Sequence, residues 1–116
     1  MTIKTATQKN NLASAYGTAA THAAVYTTVP GASAGTEPSG GSPAYARKAI
    51  TWSAPSNGVR TATVVFDIPA SVTLNGAGVH SAASGTGNYL DGGAITPWSP
   101  GATQGTFTLA ITFTEQ

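Results

Sequence analysis

Apolar and polar residues alternate most regularly over 106–114, where Phe107, Leu109, Ile111 and Phe113 are separated by Thr106, Thr108, Ala110, Thr112 and Thr114. A period of two describes a strand with one apolar face, and nine residues at strand rise span about 30 Å. A second run at 59–68 sets Ala62, Val64, Phe66 and Ile68 on one face and Thr61, Thr63, Val65 and Asp67 on the other. Pro69 ends it, because proline has no amide to give to a ladder. At 46–53, Ile50 and Trp52 share a face with Ala46 and Lys48, opposite Arg47, Ala49 and Thr51, which makes Trp52 a core position. Pro55-Ser56-Asn57-Gly58 lies between these two runs, and its Asn-Gly pair suits a hairpin turn. The runs at 46–53 and 59–68 are therefore expected to pair as antiparallel neighbours.

The run at 72–81 is interrupted by Asn75-Gly76 and Gly78, and is either a hairpin of two very short strands or one bulged strand. Tyr89-Leu90, Asp91-Gly92-Gly93 and Ala94-Ile95-Thr96 read as a tight hairpin leading into Pro97-Trp98-Ser99-Pro100-Gly101. In the first third, Leu12, Tyr16, Ala19, Ala20 and Ala23 recur at spacings of three and four. They predict one short helix near 11–24, capped by Asn10 or Asn11. Residues 30–44 hold no apolar side chain larger than proline and read as an exposed loop at the upper limit for compact domains.

Composition narrows the class. The chain has 116 residues, the length of one domain, with 14 glycines and 7 prolines, which favours short strands joined by turns over a helical bundle. Only 8% of residues are charged and the formal net charge is +1, too little to neutralise several phosphates, so neither nucleic acid nor an anionic membrane is an expected partner. No cysteine is present, which removes disulfides, thiolate catalysis and thiolate metal sites. No window approaches a membrane span, and Met1-Thr2-Ile3-Lys4-Thr5-Ala6-Thr7 lacks the apolar core of a secretory signal. A soluble protein made in the cytoplasm is expected.

Candidate chemistry is sparse. The acids Glu37, Asp67, Asp91 and Glu115 are widely spaced, and Asp67 and Asp91 suit strand-end and turn hydrogen bonding. His22 and His80 are too few for a three-ligand metal site. Gly85-Thr86-Gly87 runs into Asn88-Tyr89-Leu90 rather than a helix and reads as a turn, not a dinucleotide fingerprint. No Gly-x-Ser-x-Gly elbow supports a serine nucleophile. The expectation is a non-enzyme with no catalytic, cofactor or metal site. The contact candidates are Tyr45, Arg47 and Trp98, because aromatic and arginine side chains concentrate at interfaces; Trp98 serves either as core cover or as a contact. Arg47 and Lys48 point to opposite faces of a strand and do not form a joint anion site.

Residues 10–53 also carry a resemblance. Asn10-Asn11-Leu12-Ala13, Tyr16-Gly17, Ser39-Gly40-Gly41-Ser42-Pro43-Ala44-Tyr45-Ala46-Arg47-Lys48 and Thr51-Trp52 resemble short virion proteins of tailed bacteriophages of actinobacteria, of the tail-fibre or minor tail type. The likeness continues through Val64-Val65-Phe66-Asp67-Ile68-Pro69-Ala70, His80-Ser81-Ala82 and Gly105-Thr106-Phe107-Thr108, with Gly-Gly-Ser-Pro-Ala-Tyr-Ala-Arg its most specific stretch. It implies a structural protein located in the virion and synthesised in the host cytoplasm, either on the tail or as a capsid decoration protein. Expected partners are further copies of the chain, as a trimer or larger array, and tail or major capsid proteins. The alternative from a different class is a carbohydrate-binding module for cell-surface glycans, with Trp98, Tyr89 or Tyr45 stacking on sugar rings.

The resulting fold expectation is all-β: one domain over 1–116, a compact antiparallel β-sandwich with one short N-terminal helix or helical turn. Strands are expected near 46–53, 59–68, 71–81 and 105–115. Phe66, Ile68, Phe107, Leu109, Ile111 and Phe113 are the expected core. The loop at 30–44 is expected to lie over a neighbouring subunit, since its small side chains return little from burial within one chain.

Overall fold

The computed structural model describes residues 5–114; residues 1–4 and 115–116 lie outside the described residues, among them Glu115 at the end of the expected strand 105–115. The fold is mostly β, with one helix and two antiparallel sheets. Its elements are α1 (Ala6–Ala19), β1 (His22–Tyr26), β2 (Lys48–Ala49), β3 (Val59–Ile68), β4 (Leu74–His80), β5 (Tyr89–Trp98) and β6 (Gly105–Thr114). One sheet has the order β2-β1-β4-β5 and the other pairs β3 with β6.

The strands at 59–68 and 105–114 form as their alternation predicts, but with each other. Ten residue pairs run without a slip from Val59 opposite Thr114 to Ile68 opposite Gly105. Ala62, Val64, Phe66 and Ile68 are buried, and the last three cluster with Leu109 from β6 and with Ala23, Val25, Leu74 and Ala77 from the larger sheet. Phe107, Ile111 and Phe113 lie on the expected face of β6 yet are only half-buried, because β6 is an edge strand whose inner face overhangs a groove. The expected core thus holds at Phe66, Ile68 and Leu109 and is only partly covered at the other three positions.

The expected pairing of 46–53 with 59–68 survives only at the turn. Asn57 and Gly58 take positive φ (51° and 82°), a conformation the Asn-Gly pair tolerates, and Ser56 bridges Val59. Beyond it Ser53 N–H reaches Thr61 O at 2.8 Å, and the Ser53 hydroxyl takes the Thr61 amide at 2.9 Å, closing that edge of β3. Lys48–Ala49 pairs instead with His22 and Ala23 of β1. Trp52, expected in the core, is half-buried and donates its indole N–H to Ala20 O at 2.9 Å.

The helix begins and ends about five residues earlier than the sequence spacing suggests. Thr5 caps it, accepting from Gln8 N–H at 3.3 Å, while Asn10 uses its side chain to accept from Gly58 N–H at 2.8 Å. Tyr16 stacks on Phe113 with ring centroids 4.0 Å apart, so helical spacing selects a residue that docks α1 on β6. Residues 22–26 are a strand rather than the last turn of the helix. Ala23, Ala24, Val25 and Tyr26 are all fully buried: Ala23 and Val25 pack in the core on one face, while on the other Gly35 of the 30–44 segment lies against Tyr26, and a strand covered on both faces shows no alternation to read. For 72–81 the bulged single strand is correct, with register shifts between Leu74 and Gly76 and between Val79 and His80. The expected hairpin around Asp91 is instead the continuous strand β5, held along β4.

Truncating Phe66, which is fully buried in the shared core, is expected to cost about 3–5 kcal/mol, whereas Phe107→Ala costs less because that ring already meets solvent. Urea unfolding of the two variants measures the difference, and equal losses would place Phe107 inside the core after all.

Candidate functional site

The densest polar arrangement gathers at one end of β4, where residues from two connections, 30–44 and 81–88, converge on Arg47. Its Nε–H donates to Glu37 Oε1 at 3.0 Å and one Nη2–H to Glu37 Oε2 at 2.9 Å, the two-pronged geometry that suits guanidinium and carboxylate. The remaining donors go to Asn88 Oδ1 (2.8 Å), Ala82 O (3.2 Å) and Gly85 O (2.9 Å). A guanidinium has five N–H groups, and every one is used. The Arg47 side chain is 7% exposed and that of Glu37 26%.

Behind this pair lies a fully satisfied chain of rings. The Tyr45 hydroxyl donates to Glu37 Oε1 at 2.9 Å and accepts from Val25 N–H at 3.2 Å, while its ring lies nearly parallel to that of Phe66. His80, 2% exposed, places Nδ1 2.7 Å from Asn88 Oδ1 and Nε2 2.6 Å from the Tyr26 hydroxyl. Asn88 donates its amide to Ser84 O, so its oxygen faces Arg47 and His80 as an acceptor. His80 therefore carries its proton on Nδ1, and Nε2 accepts from Tyr26. Gly78 makes room for this: a Cβ there would fall 2.6 Å from the Tyr26 hydroxyl and 2.8 Å from Asp91 O.

Charge states follow from these surroundings. Burial holds the His80 imidazole below its ordinary value; the Asn88 hydrogen bond opposes this, and the Arg47 charge adds to it. Burial alone would raise the Glu37 carboxyl, but hydrogen bonds from Arg47 and Tyr45 outweigh it and hold the carboxyl below the usual range. Burial pushes the Tyr26 and Tyr45 phenols far up, so both stay protonated donors.

The clasp closes the 30–44 segment onto the body. Thr27 N–H donates to Thr36 O at 2.7 Å, Thr36 N–H to the Thr28 hydroxyl at 2.8 Å, and the Tyr89 hydroxyl to Gly31 O at 2.9 Å. Further on, Gln104 takes Ser42 N–H at 2.7 Å and gives its amide to Pro43 O at 2.8 Å. Most of the segment is exposed, as expected, and these bonds tie it to its own chain. The expectation of a neighbouring subunit over it rested on side-chain burial; Glu37 and these backbone bonds are attachments within the chain. Beside the clasp is an open cleft of about 400 Å³, lined by Gly35, Glu37, Arg47, His80, Asn88 and Tyr89 among others.

Of the contact candidates, Tyr45 and Arg47 come together here and Trp98 does not. Tyr45 and Arg47 have their polar groups committed within the chain. Trp98 sits at the end of β5, half-buried, its ring 5.1 Å from that of Phe107. Lys48 turns away from Arg47, as the strand geometry predicts, to a partly exposed pairing with Asp67 at 3.4 Å. Sequence reading missed Glu37 and Asn88 as partners of Arg47, and His80 as the partner of Asn88 and Tyr26. The available signal was the scarcity of charge: with four acids in the chain, a lone Glu inside an otherwise neutral loop marks a tether. Family models, characterised proteins and solved structures were each compared with the chain, and none matches.

Removing Arg47 leaves Glu37 partly buried without its counter-charge. Arg47→Ala is expected to cost about 3–5 kcal/mol, the usual loss when one partner of a buried pair is deleted. Arg47→Lys should recover little, since an ammonium cannot span the same five acceptors. Chemical denaturation of both variants checks this, and a lysine variant as stable as the parent would show that charge alone suffices.

Acid should unfold the protein in two stages. Below about pH 6.5, the ordinary histidine value, the unfolded chain takes up a proton that folded His80 resists, so stability falls with pH. Below the ordinary Glu37 value of 4.5, the unfolded carboxyl protonates before the folded one, and a second loss begins. Neither group adds a slope above about pH 6.5. Thermal melts across this range should show both stages in the parent and only the lower one in His80→Gln.

Proposed function

We propose that this protein is a non-enzymatic structural component of a tailed bacteriophage virion: a small surface-exposed accessory protein of the tail, of the minor tail or tail-fibre type, or a capsid decoration protein. The observation that carries this reading is how the chain uses its few reactive groups. Arg47, Glu37, His80, Tyr26 and Tyr45 hold the 30–44 segment to the sheets, with their donors and acceptors matched to one another. Such an arrangement suits a part that must keep its shape.

The most specific stretch of the resemblance, with its Tyr45 and Arg47, and the separate His80-Ser81-Ala82 stretch both supply this clasp. Residues from both antiparallel sheets contribute to one apolar core, which supports reading the module as a β-sandwich. Near-neutral charge lets many copies sit close together as a trimer or larger array. A second reading, a glycan-binding module, is favoured by one observation: the half-buried aromatic Tyr89 lines the open cleft beside the clasp.

The deciding experiment is mass spectrometry of purified particles. The structural reading expects this chain at a fixed ratio to a tail or major capsid protein after density-gradient purification. Absence from particles, combined with glycan-array binding that Tyr89→Ala abolishes, would replace it with the module.

A further inference from the structure

β6 is an edge strand of a kind that proteins normally guard. Of the strand edges in the two sheets, β2 is only two residues long, β5 carries Asp91 and Pro97, and the outer side of β3 is partly closed by Ser53 and bears Arg60 and Asp67. Short length, charge, proline and cover are the usual means of blocking edge-to-edge pairing. Among the described residues β6 has none of them: Gly105–Thr114 is ten residues long, without charge or proline, and pairs only with β3. Its inner face leaves Phe107, Ile111 and Phe113 half-covered above a groove of about 360 Å³ that takes in residues 109–112 on one side and 91–95 on the other.

The sequence of this edge is its own reverse in chemical character. About Ala110, Leu109 answers Ile111, Thr108 answers Thr112, Phe107 answers Phe113 and Thr106 answers Thr114. We infer that β6 pairs antiparallel with β6 of a second copy of this chain, with Ala110 on the two-fold axis. In that register every apolar residue faces an apolar residue and every threonine a threonine, and odd positions stay on one side in both copies. A two-fold axis normal to the sheet preserves both faces, so the two β3–β6 ribbons join into one four-stranded sheet ordered β3-β6-β6-β3. The half-covered Phe107 of each copy then lies beside Phe113 of the other, and the threonines form a ladder on the outer face. This pairing does not depend on the virion reading, and either can fail without the other.

Position 110 tests the register, because only there does a residue meet itself, with Cβ atoms about 4.5–5.5 Å apart. Ala110 is exposed, so a long side chain is tolerated in the single chain. Sedimentation velocity should show a dimer for the parent protein. Ala110→Lys and Ala110→Glu should each weaken dimerisation at least tenfold, and an equimolar mixture of the two should restore it. A parent that stays monomeric at high concentration overturns the proposal, as do single variants that dimerise like the parent or a mixture that fails to recover. If either charged variant fails to fold by circular dichroism, Ala110→Cys in this cysteine-free chain gives the same answer. It should form a disulfide-linked dimer on mild oxidation while Thr106→Cys, which faces Thr114, does not. No cross-link at 110 overturns the proposal.

Discussion

The Arg47 guanidinium is the group that joins the two connections at this end of the molecule. It binds the carboxylate of the 30–44 segment, the carbonyls of Ala82 and Gly85 beyond β4, and the Asn88 side chain that also receives His80. A guanidinium in that position must be fully matched, since a buried cation with an idle donor is costly. The requirement fixes the paths of two connections at once. Neither connection contains an apolar residue large enough to build a core, so hydrogen bonding to one charge does the work that packing does elsewhere.

The clasp and the hydrophobic core are joined through two tyrosines. Tyr45 lays its ring on Phe66 and sends its hydroxyl to Glu37; Tyr26 is fully buried in β1 and sends its hydroxyl to His80. Each spans from an apolar region to a polar one, which is the particular advantage of a phenol. Because β1 lies between β2 and β4, the same strand that anchors the sheet also positions the ring network. Loosening either side should therefore be felt on the other.

What could be read from the sequence divides along physical lines. β3 and β6 were legible because each has one wet face, so threonine alternates with larger apolar residues. β1 was not, because a strand buried on both faces reads as Ala23-Ala24-Val25-Tyr26, which fits a helix equally well. β5 was obscured by Asp91-Gly92-Gly93, a turn-like triplet that here runs straight along β4. Arg47 and Tyr45 were singled out by residue type, but as surfaces for a partner. Their actual side-chain partners are Glu37, which bonds both, and Asn88, which lies 41 residues from Arg47, a separation that no local pattern encodes.

The pairing of β3 with β6 has a consequence for how the protein is made. β4 and β5 lie between them in the chain and belong to the other sheet, so β3 is synthesised well before the strand that completes it. Until β6 arrives, Val64, Phe66 and Ile68 are exposed on a strand with an open side. The Ser53 and Ser56 contacts with Thr61 and Val59 are local and can form at once, but they close the opposite edge of β3 and leave the β6 side open. A ribosome pausing between β5 and β6 would therefore hold the chain with that one edge, and the apolar face beside it, as its point of risk for aggregation.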